Sequence, residues 1–62
     1  MSEYRKILAV MLADRIPNIR LMAMKLAFSK NKLSDKLVES QLHKLKEDTD
    51  IEIRQAAKMI KI

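Results

Sequence analysis

The chain has no cysteine, no glycine and no tryptophan, a single proline (Pro17), a single histidine (His43) and only two aromatic residues, Tyr4 and Phe28. Without cysteine there is no disulfide framework and no sign of an oxidising compartment. With one histidine besides, the usual zinc ligand sets are excluded. Glycine supplies the positive φ of tight β-hairpin turns and of phosphate-cradling loops, so its absence argues against β-hairpins, P-loops and dinucleotide folds. The longest apolar run, Ile7 to Ala13, is far shorter than the ~20 residues that span a bilayer. No small-residue cleavage site bounds it, so a signal peptide is not expected. Cytoplasmic or nuclear residence follows as the default, with no membrane partner.

Strong helix formers (Ala, Leu, Met, Lys, Glu, Arg, Gln) fill the remaining sequence, which predicts an all-α class. Sixty-two residues make one small domain, residues 1–62, whose core supplies about 3–5 kcal/mol at most. The net charge of +5 suits nucleic acid, a membrane surface or an acidic protein, and equally a solvated lysine-rich face.

Four helical stripes can be read. Tyr4, Ile7, Leu8, Met11 and Leu12 recur at helical spacing, with Ser2 as the expected N-cap. Pro17 breaks the pattern and forces Ile16 out of helical geometry. Pro17 and Asn18 then open a second helix with Ile19, Met22, Ala23, Leu26 and Ala27 on one face, ending near Ser29 to Asn31, where Lys30 and Lys32 suit the helix dipole. Ser34 is the expected cap of a third helix, with Asp35 in its first turn and Leu37, Val38, Leu42 and Leu45 as its stripe, ending near Glu47. Thr49 or Asp50 caps a fourth, with Ile53, Ala56, Ala57 and Ile60 inward. Short links make sequential helices antiparallel neighbours.

At an offset of 34 residues the chain matches itself, and such a period marks a repeat. Leu8 falls on Leu42, Met11 on Leu45, Asp14 on Asp48, Ile19 on Ile53, Arg20 on Arg54, Ala23 on Ala57 and Leu26 on Ile60. The chain is therefore one helix–turn–helix unit written twice, over residues 1–31 and 32–62. Each unit places an aspartate after its first helix and, six positions on, an arginine preceded by isoleucine and followed three residues later by alanine: Asp14-Arg15-Ile16-Pro17-Asn18-Ile19-Arg20, and Asp48-Thr49-Asp50-Ile51-Glu52-Ile53-Arg54. The tryptophan, glycine and tyrosine positions of tetratricopeptide repeats and the Thr-Pro-Leu-His of ankyrin repeats are absent.

This signature resembles the HEAT-repeat family. Through Asn18-Ile19-Arg20, Leu42-His43-Lys44-Leu45 and Asp48 to Arg54, the stretch from Ile7 to Ile60 is similar to the last two repeats of the protein phosphatase 2A scaffolding A subunit family. It departs from that family in having Lys6 and Ser40 where the first helices carry a kinking proline, and in a shorter link between units. The resemblance implies two antiparallel helical hairpins stacked as an α-solenoid and a non-enzymatic protein–protein scaffold or phosphatase regulatory role. Arg20 and Arg54 are then the arginines of a ladder reaching the aspartate of a neighbouring unit, with Asp14 and Asp48 as its carboxylates; arginine–carboxylate pairing is directional enough to fix register. The resemblance also implies partner contacts through the turns, at Arg15, Pro17, Asn18 and an exposed Leu21 in the first unit and Thr49, Asp50, Glu52 and Gln55 in the second, the partner being a phosphatase catalytic subunit.

The two copies are unequal. Eighteen of the first 31 residues are apolar, against twelve of the last 31. The first helix is apolar nearly all round, and Leu21, Met24 and Phe28 fall outside the main stripe of the second. The later helices look one-sided, with Lys36, Glu39, Lys44, Lys46, Glu47, Gln55 and Lys58 on the other side. The second unit thus reads as a C-terminal cap, and the first as expecting a neighbour or self-association through its hairpin.

No catalytic constellation is present, and neither enzymatic activity nor a cofactor is expected. His43 sits beside exposed Lys44; the serines suit caps or solvent; the five methionines suit packing. The second reading is a small basic nucleic-acid-binding domain, resting on Lys30, Lys32, Lys36, Lys58 and Lys61. Two aromatics give little base stacking, and no helix concentrates Arg, Asn and Gln for base readout.

Overall fold

A computed structural model describes residues 2–30 and 35–60. These form four helices, α1 (Ser2–Leu12), α2 (Pro17–Ser29), α3 (Lys36–Leu45) and α4 (Ile51–Met59), and no strand. None of the helices is long and apolar enough to cross a membrane.

The helix starts show which polar group does the capping. Ile16 is extended (φ −88°, ψ 117°) as a residue before proline must be, and Pro17 occupies the first turn of α2. No side chain caps this helix, so Asn18 is not the cap but the helix's second residue. Ser2 likewise lies inside α1 rather than ahead of it. At α3 the cap is Asp35, whose Oδ1 accepts from the amides of Leu37 and Val38 at 3.0 and 3.3 Å; Ser34, and the lysine at 32, lie outside the described residues. Of the two candidates before α4 the cap is Asp50, accepting from Ile53 N at 3.1 Å. A carboxylate at the N-terminus gains from both the free amides and the dipole, which favours aspartate over the hydroxyl alternatives. α3 ends at Leu45, two residues short of Glu47, because the amides of residues 46–48 turn back on carbonyls only three residues behind.

Helix α1 packs on α2 and on α3, α3 on α4, and α2 on α4. The links at 13–16 and 46–50 are too short for anything but antiparallel hairpins. One cluster of Leu8, Leu12, Ala23, Met24, Ala27, Val38, Leu42, Leu45, Ile53 and Ala57 fills the space between all four helices. Among the described residues no polar or charged residue is buried in it. Leu8 and Leu42, equivalent at the 34-residue offset, are both fully enclosed, and each contributes about 1.5–3 kcal/mol by leaving water.

Four residues depart from the sequence expectations. Met24, set outside the stripe of α2, is buried, because α4 lies against that side. Met22, expected inward, is 55% exposed, and Ile7 of the first stripe likewise; among the described residues no helix covers that side of the first hairpin. Leu37 is exposed at the start of α3.

Candidate functional site

Among the described residues, five of the side-chain hydrogen bonds lie in the aspartate–arginine turns. In each turn the aspartate first closes its own loop. Asp14 Oδ1 accepts from Ile16 N at 2.9 Å, and Asp48 Oδ1 accepts from Asp50 N at 2.8 Å. This side-chain turn is the one short acidic residues make locally. The arginine six residues on then folds back: Arg20 Nη1 donates to the Asp14 carbonyl at 2.8 Å, and Arg54 Nη1 to the Asp48 carbonyl at 2.9 Å. Two equivalent turns therefore have the same internal bonding.

What differs is the link between them. Arg20 Nη2 donates to Asp48 Oδ1 at 2.8 Å, across 28 residues of chain. The guanidinium thus bridges the carbonyl end of α1's turn and the carboxylate of α3's turn. Both side chains are nearly enclosed, 12% and 8% exposed, so the pair is screened far less than a surface ion pair. Arg20 Nε is buried with no hydrogen-bond partner. Burial raises the Asp48 carboxyl's pKa. The hydrogen bonds from Arg20 and the Asp50 amide, with the charges of Arg20 and Arg54, more than offset that, and the carboxyl sits below the ordinary aspartate value. Among the described residues Asp14 has no cationic partner, and the other guanidinium nitrogens of Arg54 have no acceptor.

A polar cleft of about 430 Å³ opens beside this bridge, lined by Arg15, Lys44, Glu47 and Thr49 together with Asp14, Arg20 and Asp48. Of the residues expected to meet a partner, Arg15 and Thr49 thus share one cleft. Pro17, Asn18, Glu52 and Gln55 are exposed outside it, and Asp50 is half-buried and occupied as a cap. Leu21 departs from expectation: it is half-buried against the core and lines a separate apolar groove with Met24, Phe28, Ala56, Met59 and Ile60. Its Cα lies one turn past the exposed start of α2, on the side that meets α4.

The structure adds one contact that sequence reading missed, Arg5 Nε to Asp35 Oδ2 at 3.1 Å, joining α1 to the cap of α3. The 34-residue register contains no hint of it, because the position equivalent to Arg5 is Glu39. Among the described residues no three His, Cys, Asp or Glu side chains converge as metal ligands. His43, Ser40, Lys30 and Lys36 are exposed, and Ser29 Oγ donates to the Leu26 carbonyl. No protein-family model, curated protein or solved structure matches the chain.

Proposed function

We propose that the chain is a HEAT-type repeat module of two stacked units, 1–31 and 32–62, acting as a non-enzymatic protein-binding scaffold. The observation that carries the reading is the Arg20–Asp48 bond: a motif repeated at a fixed offset joins one copy to the other through the pair of residue types that both copies contain. Such a bond fixes the register of one hairpin on the next and leaves the turns aligned along one edge. The fold's polar detail is spent on holding two hairpins in line, which serves an extended binding edge better than an enclosed reaction site.

The partner surface in this reading is the turn edge, centred on the cleft with Arg15 and Thr49 and extended by Pro17, Asn18, Glu52 and Gln55. Leu21, half-buried against the core, is not an exposed anchor of that edge. The similarity to the phosphatase scaffold family makes a protein phosphatase catalytic subunit the first partner to test. Immobilised chain should retain that subunit, and Arg15→Glu combined with Asn18→Ala should release it at unchanged helicity. Retention of duplex DNA or RNA with a steep inverse salt dependence, and no retention of the subunit, would favour the basic nucleic-acid module instead.

A further inference from the structure

We infer that the uncovered side of the first hairpin is a stacking face for another helical hairpin held in series before it, one that presents an arginine to Asp14. The offset of 34 residues shows which positions are involved. In the second unit, Gln41, Lys44 and Leu45 line the junction with the first, together with Leu12 and Arg20. Their counterparts in the first unit are Ile7, Val10 and Met11, which with Lys6 line an open apolar depression of about 250 Å³. Ile7 is 55% and Val10 71% exposed. On the second layer, Ala56 faces α2 across an apolar groove, while its counterpart Met22 faces solvent. The first unit therefore carries the positions of a covered face, in more apolar residues than the face that is covered.

Asp14 identifies the occupant. It is bonded within its turn as Asp48 is, and lacks only the arginine from an adjoining unit. A cation brought by the covering element completes it. A second copy stacked head-to-tail does not fit. Its outer face carries His43, Lys46, Gln55 and Lys58 where the first unit presents Ala9, Leu12, Leu21 and Met24 to its neighbour, and Lys46 and Lys58 would be pressed onto apolar side chains. The occupant is thus a hairpin with an apolar outer face of the first-unit kind and an arginine at the start of its second helix. The inference rests on the repeat reading but not on any partner at the turns.

The test extends the chain by one unit, fusing a second copy of residues 1–34 directly ahead of Met1. The added arginine then precedes Asp14 by the same interval that separates Arg20 from Asp48. The thermal midpoint should rise, and Asp14→Asn should lower it by about 5 °C in the extended protein while leaving the unextended chain within about 1 °C. Ile7→Glu should likewise act only in the extended protein. An extension that leaves the midpoint unchanged, or an Asp14→Asn effect of equal size in both proteins, overturns the inference. So does a dimer of the unextended chain in sedimentation that Ile7→Glu abolishes, since the face would then belong to a second copy. Binding of a partner at the turns, measured in parallel, is unaffected by either result, so the two readings fail separately.

Discussion

Asp14 and Asp48 stand at the same point of two equivalent turns, and each accepts the amide two residues on. Only Asp48 also holds an arginine from the other unit. The same contrast runs through the apolar residues. Leu8 and Leu42 are equally enclosed, whereas Met22 is exposed and its counterpart Ala56 packs against the core. The bonding of the aspartate–arginine turn is thus copied between the hairpins, although Asp50 caps α4 where Ile16 leaves α2 uncapped, and what separates the two aspartates is whether a neighbour lies on a given side. A turn motif closes its own bonds anywhere, but a carboxylate or a methionine side chain is satisfied only by what the fold brings to it.

The comparison can be broken first at its most symmetric point. Leu8→Ala and Leu42→Ala should each cost about 2–5 kcal/mol, enough to unfold much of a domain this small. Far-UV circular dichroism during chemical denaturation reads both, and a clear inequality between them would end the equivalence of the two sites. The next largest effect separates the arginines. Arg20→Ala removes its bond to the Asp14 carbonyl and its charge-assisted bond to Asp48, leaving that nearly enclosed carboxylate only the Asp50 amide, for about 1.5–3 kcal/mol, whereas Arg54→Ala loses one bond to a carbonyl, for about 0.5–1.5 kcal/mol. Both variants should melt earlier at retained helicity; equal losses would mean that the bond between units contributes nothing beyond the bond within each.

The cap residues come next. Asp50→Ala should cost about 0.5–2 kcal/mol, and a matching loss for Asn18→Ala would contradict its place inside α2. pH sharpens the carboxylate contrast. Asp48 has a lowered pKa when folded, so its stabilising contribution is fully present above the ordinary aspartate value of about 3.9 and is lost as pH falls through the lower folded value. The stability difference between the native chain and Asp48→Asn should therefore be constant near neutrality and shrink below about pH 4. A difference that persists undiminished into strong acid would show that the ionised carboxylate is not what stabilises. The smallest effect belongs to Arg5→Ala, whose 40%-exposed side chain should contribute no more than about 0.2–1 kcal/mol, falling with added salt.

Much of this was legible in the sequence because it is local or periodic. The four stripes, the proline break at Ile16 and the 34-residue copy are carried by residue spacing alone, and all four helix starts fall within two residues of their expected places. Helix caps were less legible, since serine and aspartate side by side offer rival acceptors, and it is the folded backbone that puts Asp35, which the dipole also favours, in the cap place. Burial was least legible where a helix has two apolar sides. Met22 and Met24 are both plausible inward residues of α2, and their order was inverted because stripe reading assumes one buried face. Leu21 looked like an exposed anchor for the same reason: its place beside a proline turn says nothing about α4 lying across it.

What the sequence alone determined is the helical unit, its duplication, and the pairing of an aspartate with an arginine six residues on in each copy. These depend on hydrogen bonds and apolar spacing within a few turns of chain, which any context preserves. What only the tertiary structure decided is that Met24 is inside and Met22 outside, that Leu21 lies against the core, and how closely Arg20, expected to reach a neighbouring aspartate, approaches Asp48. Those outcomes depend on contacts between segments distant in sequence, and a residue's own type does not encode which neighbour the packing of α1 on α3 and α2 on α4 will set against it.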